Sequence, residues 1–237
     1  MGIFKKLFGK ADADDNTKYT MPDYLMLDIT EALKLPIYSG FMSDDELYSE
    51  CLQTIEDMCI DYEEAIPSEE FSRKLISDII AQRNSSASSG NNFTRLAKIF
   101  DELAADRVAA LHNAGYTMDE GFDEVDAILD FMKEHGIPHN GYCFYHGQDL
   151  ERAVDPDINN LCLAFGTTDG DLEKTLQLGR KITELLKNNG FEVQWDGSAD
   201  SRIMINDFHW DKIYDGTDYS PNRIIKIMQN NSSANSI

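Results

Sequence analysis

The strongest constraint on this chain is a change of pattern at Pro138. Before it, apolar residues recur at spacings of three and four, the signature of amphipathic helices. Leu47, Cys51, Ile55, Met58 and Tyr62 form one such stripe, and Phe71, Leu75, Ile76, Ile79 and Ile80 form another. After it come Tyr142–His146 and Leu161–Phe165, short and almost continuously apolar, as strands covered on both faces are. Phe191–Trp195 and Arg202–Ile205 read as further strands, and Leu172–Asn188 as a helix between the pairs. The expected class is α+β: a helical N-terminal half packed with a C-terminal four-stranded sheet and one long helix, in the order β-β-α-β-β.

Punctuation divides the chain further. Residues 1–21 read as a tail, 22–83 as a helical region and 84–92 as a flexible loop. Residues 93–215 read as an α+β domain, and 216–237 as a C-terminal tail, disordered from about residue 229. Pro36 is expected to close a first helix, Asp23–Leu35. Ser43 and Glu46 make a capping box for the next. A helix is expected over Asn92–Asn113, a further one over Met118–His135, and one or two turns over Gln148–Val154.

Charge excludes more than it identifies. There are 43 acidic and 21 basic side chains, a net charge of −22, which repels phosphate backbones and argues against nucleic-acid binding. No run approaches the roughly 18–20 apolar residues of a membrane span, so integral membrane association is not expected. Residues 1–10 (MGIFKKLFGK) place Ile3, Phe4, Leu7 and Phe8 opposite Lys5 and Lys6, which allows a weak peripheral membrane contact. Lys6 stands where a myristoylation signal has Ser or Thr. No secretory h-region follows, and four cysteines without a C-x-x-C fit a cytoplasmic protein. Cys51 and Cys59, about 12 Å apart along one helix, are too distant to bridge. Cys143 and Cys162 read as buried apolar residues.

Several blocks carry a resemblance: Gly141-Tyr142-Cys143-Phe144-Tyr145-His146-Gly147-Gln148-Asp149, Leu163-Ala164-Phe165-Gly166, and Trp195-Asp196-Gly197-Ser198 with Arg202-Ile203 and Trp210. Together they resemble an uncharacterised bacterial family, a domain of unknown function, over roughly residues 40–215. Phe93-Thr94-Arg95-Leu96 with Phe100 is similar to the family's helix before the strands. The family pattern often has C-C-x-x-C-G after that helix, where this chain has Ala110-Leu111-His112-Asn113-Ala114-Gly115. The resemblance implies continuity of fold and no activity.

Four constellations are candidates for function. His135, His139, Cys143 and His146 hold enough donors for zinc, but strand alternation points Cys143 and His146 to opposite faces, so neither a metal nor another cofactor is expected. His146, Gln148 and Asp149 could hold a substrate at a strand end, with His146 as general base and Asp149 orienting it, or could simply cap the following helix. Trp195, Asp196, Arg202 and Trp210 could stack on and bind a ligand, or could build a turn in which Asp200 pairs with Arg202. From Ser43 to Glu70 there are eleven acids and no Lys or Arg, and Asp119–Asp130 adds six acids. An acidic surface including Asp57, Glu63, Glu64, Asp123 and Glu124 would attract a basic protein partner. No organised nucleophile, P-loop or dinucleotide motif accompanies these groups. The expectation is therefore a macromolecule-binding protein, immunity-like or regulatory, with a small-molecule-binding or hydrolase-like site around His146, Asp149 and Trp195 as the alternative.

Overall fold

The computed structural model describes residues 20–86 and 90–234. The chain divides into two units, Met1–Ala87 and Ser88–Ile237.

The N-terminal unit has three helices among its described residues, α1 (Asp23–Ser39), α2 (Asp44–Asp61) and α3 (Glu69–Ser86). Their apolar stripes meet in one core: Leu25, Ile29, Leu33 and Ile37 from α1, Leu47, Cys51, Ile55 and Cys59 from α2, Leu75, Ile76 and Ile79 from α3. Met21, assigned to the tail from sequence, is buried in that core. The expected capping box opens α2, with Ser43 N donating to Glu46 Oε2 at 2.9 Å. Pro36 does not end α1. The helix continues to Ser39 because Ile37 is buried, and it stops at Gly40, whose φ of 68° suits a residue without a side chain. Residues 84–86, expected in the loop, form the last turn of α3. The tail and loop assignments for residues 1–19 and 87–89 lie outside the described residues.

The C-terminal unit carries a five-stranded sheet, so the α+β class holds and the strand count is corrected by one. Its elements are α4 (Asn92–Ala105), β1 (Val108–Leu111), α5 (Met118–Glu134), β2 (Gly141–Phe144), α6 (Gly147–Val154), β3 (Leu161–Thr167), α7 (Leu172–Asn188), β4 (Glu192–Gln194), β5 (Ile203–Asn206) and α8 (Pro221–Ala234). The spatial order is β1-β2-β3-β5-β4. β1 runs parallel to β2 with α5 between them in sequence, and the other pairs are antiparallel.

The added strand comes from residues expected to continue α4. The sequence Val-Ala-Ala-Leu has no breaker, yet the helix stops because Arg107 takes a left-handed φ of 67°. All four strand residues are then buried in the sheet.

Register separates two faces. Phe144 is opposite Ala164 and Cys162 is opposite Met204, so these share a face with His146, two residues beyond Phe144. Cys143 is opposite Phe165 and Leu163 opposite Ile203, on the other face.

The expected C-terminal tail is also corrected. Pro221 occupies the first position of α8, where its missing N–H costs nothing, and Ile224 and Met228, four apart, are buried against the sheet's core. Met228→Ala is expected to lower the unfolding free energy by about 2–5 kcal/mol, the usual loss for a buried apolar truncation, read from the urea midpoint. A disordered tail would show no change.

Candidate functional site

Two sequence blocks more than fifty residues apart meet at one carboxylate. His146 ends the β2 segment as N-cap of α6, and Asp149 sits three residues into the turn, where its carboxylate reaches back toward the His146 backbone N–H. Asp149 is 1% exposed. Arg202, entering β5, donates from one NH1 to Oδ1 at 2.9 Å and Oδ2 at 3.1 Å. Arg152, one turn along α6, donates its NH1 to Oδ1 at 3.0 Å. His146 Nε2 lies 3.1 Å from Oδ2. With its proton on Nε2, the ring donates to Asp149, and Nδ1 is left buried without a hydrogen bond.

The electrostatics are unbalanced. Burial pushes the His146 imidazolium down further than Asp149 raises it, and the two guanidiniums add to the fall, so the ring is neutral at pH 7. One carboxylate therefore faces two full positive charges. Both NH1 groups lie against the same oxygen, so they stand within about 6 Å of each other, a repulsion of roughly 3 kcal/mol at an effective dielectric near 20, before solvent screening of two partly exposed side chains. Half-buried Cys162 is on the same face, and its thiol is pushed up by burial despite Arg202 nearby, so it is not a thiolate nucleophile at neutral pH.

The remaining candidates do not join this cluster. Trp195, one residue beyond Gln194, falls on the opposite face, where its ring meets Phe165 at 5.7 Å. It closes over Gly179 of α7, where a β-carbon would stand 2.7 Å from the indole. Asp196 makes the turn, accepting Ser198 N at 2.9 Å and the Ser201 hydroxyl, while Trp195 Nε1 donates to Ser198 O. Arg202 binds Asp149 and not Asp200, because the alternation that buries Ile203 turns Arg202 toward α6. Gln148, half-buried, lines a shallow hollow of about 380 Å³ with Glu151, Arg152, Asp155 and Ile158. His135 Nδ1 bonds Phe131 O and His139 Nδ1 bonds Ile137 O. No three His, Cys, Asp or Glu side chains gather to hold a metal among the described residues.

Trp210, half-buried, instead joins an aromatic group that sequence reading did not assemble. It packs on Phe93, Tyr145 and Phe208. Within the group, His112 stacks on Phe100 at 4.5 Å, and buried Lys212 holds its Nζ 4.5 Å from the Tyr219 ring and 4.8 Å from Phe93. Burial, with Lys212 and Arg223 nearby, lowers the His112 pKa to about 3. Asp211 accepts the Asn92 and Phe93 backbone N–H groups and so starts α4 from 119 residues away. No local motif signals such an assembly. Arg152 was findable, at i+3 from Asp149 on a helix.

The acidic residues fall on both units. Asp57 and Glu63 are exposed, while Glu64 accepts the Tyr24 hydroxyl. In the C-terminal unit Asp123 is exposed, but Glu124 accepts Gly115 N at 2.8 Å and serves the fold. The N-terminal unit's exposed large apolar side chains, among its described residues, are Tyr24, Leu27, Ile60, Tyr62 and Ile66. Tyr24 and Tyr62 stack at 6.0 Å, and Tyr62 donates to Asp28 at 2.6 Å.

Two consequences are measurable. Arg202→Met is expected to cost about 2 kcal/mol, less than the 3–5 of a fully buried pair because the guanidinium is a third exposed. Arg152→Met, which relieves the repulsion, should stay within about 1 kcal/mol, both read by urea denaturation. His112 protonates more readily unfolded than folded, so its contribution is complete above about pH 6.5 and is lost as pH falls toward 3. Between pH 6.5 and 5 this should remove about 2 kcal/mol, and His112→Leu should flatten that slope in denaturation curves taken across the window.

No helix among the described residues is long and apolar enough to cross a membrane. No curated protein and no solved structure matches the chain. Residues 23–214, including α1, α2 and α3 and the His146, Asp149 and Arg202 cluster, match the family described as a domain of unknown function, DUF6891, and the chain belongs to that family.

Proposed function

We propose that this is a cytoplasmic bacterial binding protein, immunity-like or regulatory, whose N-terminal unit receives a basic polypeptide. The observation that carries this reading is the exposed, stacked pair of Tyr24 and Tyr62, with Leu27, Ile60 and Ile66 also exposed on a unit rich in carboxylates. The two phenols are tied to Glu64 and Asp28, which holds the rings on the surface at little entropic cost on binding. Residues 20–86 carry fifteen acids and four Lys or Arg, so the field around the pair favours cations. A partner presenting apolar residues flanked by Lys or Arg, such as a basic amphipathic helix, satisfies both features. Four free thiols are in keeping with a reducing compartment. A hydrolase-like reading around His146 is weaker, because a general base must reach its substrate and this ring is 3% exposed.

The test uses a synthetic lysine–leucine amphipathic peptide, with a lysine–serine peptide of equal charge as control, titrated into the full chain and followed by NMR. Tighter binding of the lysine–leucine peptide is expected, with shifts centred on Tyr24 and Tyr62, a loss with rising salt, and at least tenfold weakening in Ile60→Ser/Ile66→Ser. Equal binding of the two peptides, or an unchanged double variant, refutes these exposed residues as the docking surface.

A further inference from the structure

We infer a second, separate site: Arg152 and Arg202 bind an oxyanion, the carboxylate or phosphate group of a small molecule, on the α6 face of the C-terminal unit. The inference does not rest on the acidic N-terminal unit. Tying α6 to β5 needs one guanidinium on Asp149, yet two are present. Each spends a single nitrogen, NH1, on Asp149. The Nε and NH2 groups of both side chains keep their donors, and the side chains are 42% and 34% exposed. Buried Asp149 fixes both forks from behind and neutralises one charge, and His146 is neutral, so the pair retains a net positive charge in a chain of −22. Guanidinium N–H forks match the oxygens of carboxylate and phosphate.

The surroundings narrow the ligand. Arg152 also lines the hollow of about 380 Å³ with Gln148, Glu151, Asp155 and Ile158. Glu151, which accepts the Tyr116 hydroxyl at 2.9 Å, and Asp155 disfavour a second anionic group there. The site therefore suits one oxyanion group with a neutral or cationic remainder. Asp149 acts as a positioning residue, and Gln148 offers an amide at the rim.

Inorganic phosphate and acetate, each titrated at constant ionic strength set with sodium chloride, distinguish the two oxyanions. The readout is the Nε–Hε resonances of Arg152 and Arg202 in the full chain. Saturable shifts of both resonances with either probe support the site, and whichever probe binds more tightly names the oxyanion. Arg152→Gln, which leaves the Arg202–Asp149 tie in place, should weaken that binding at least tenfold. Arg202→Lys, keeping the charge without the fork, should weaken it as well. Absence of saturation with both probes, or wild-type binding in Arg152→Gln, overturns the inference.

Discussion

A carboxylate removed from water must be met by cations, and Asp149 is met from two directions at once. Arg152 comes from the same helix and Arg202 from a strand two positions across the sheet. The second contact is non-local, and it fixes α6 over the face that β3 and β5 present. It also sets the direction of the hairpin leading into β5: with Arg202 turned toward Asp149, Ile203 enters the opposite core and Trp195 closes on Gly179. The pair is thus a registration device as well as an ion pair, since a slip of one residue would bury the guanidinium among apolar side chains.

The two units handle charge differently. In the N-terminal unit two carboxylates, Glu64 and Asp28, serve as acceptors for the exposed phenols of Tyr24 and Tyr62. The first turn of α2 uses Asp44, Asp45 and Glu46 at the helix end where negative charge is favoured, so part of the acidic excess stabilises the helix it decorates. Its last turn has no cation to relieve Asp57 and Asp61. That unrelieved end leads directly to Tyr62 and Glu63, where the exposed aromatic side chains lie. In the C-terminal unit Glu124 and Asp101 are committed to Gly115 and Arg223, leaving fewer acids free for a partner.

Periodicity made the helices legible, because their stripes face a core and the spacing survives in the sequence. The capping box at Ser43 and the short helix after His146 were readable for the same reason: local hydrogen bonds have local signatures. Two elements were not. β1 is four residues of moderate β-propensity, and its conformation is imposed by burial at the sheet edge beside β2. α8 looks polar because Asn222, Lys226, Gln229 and Asn230 fill its exposed side, and Ile224 and Met228, four apart, mark the buried one. Within the site, His146 and Asp149 read as neighbours from their spacing, while Arg202 reads either as a ligand contact or as a partner of Asp200, close in sequence. The actual partner is 53 residues away, a choice made by strand alternation that no local pattern records. Lys212, His112 and Trp210 converge only through tertiary packing, so no spacing announces them.

The two proposed sites respond to salt with opposite signs. A basic polypeptide approaching the N-terminal unit is drawn in by a field summed over many carboxylates, and screening shortens that field to about 10 Å at 0.1 M salt. Its association therefore slows as salt rises. A small oxyanion approaching Arg152 and Arg202 meets the chain's net charge of −22 as a barrier, and is held only at contact by hydrogen bonds from two fixed guanidiniums. Screening lowers the barrier while the short contacts, backed by a buried carboxylate, are affected less. Moderate salt made with an ion that does not fit the forks thus favours one event and opposes the other, so one protein can hold both sites without the charge that serves the first abolishing the second.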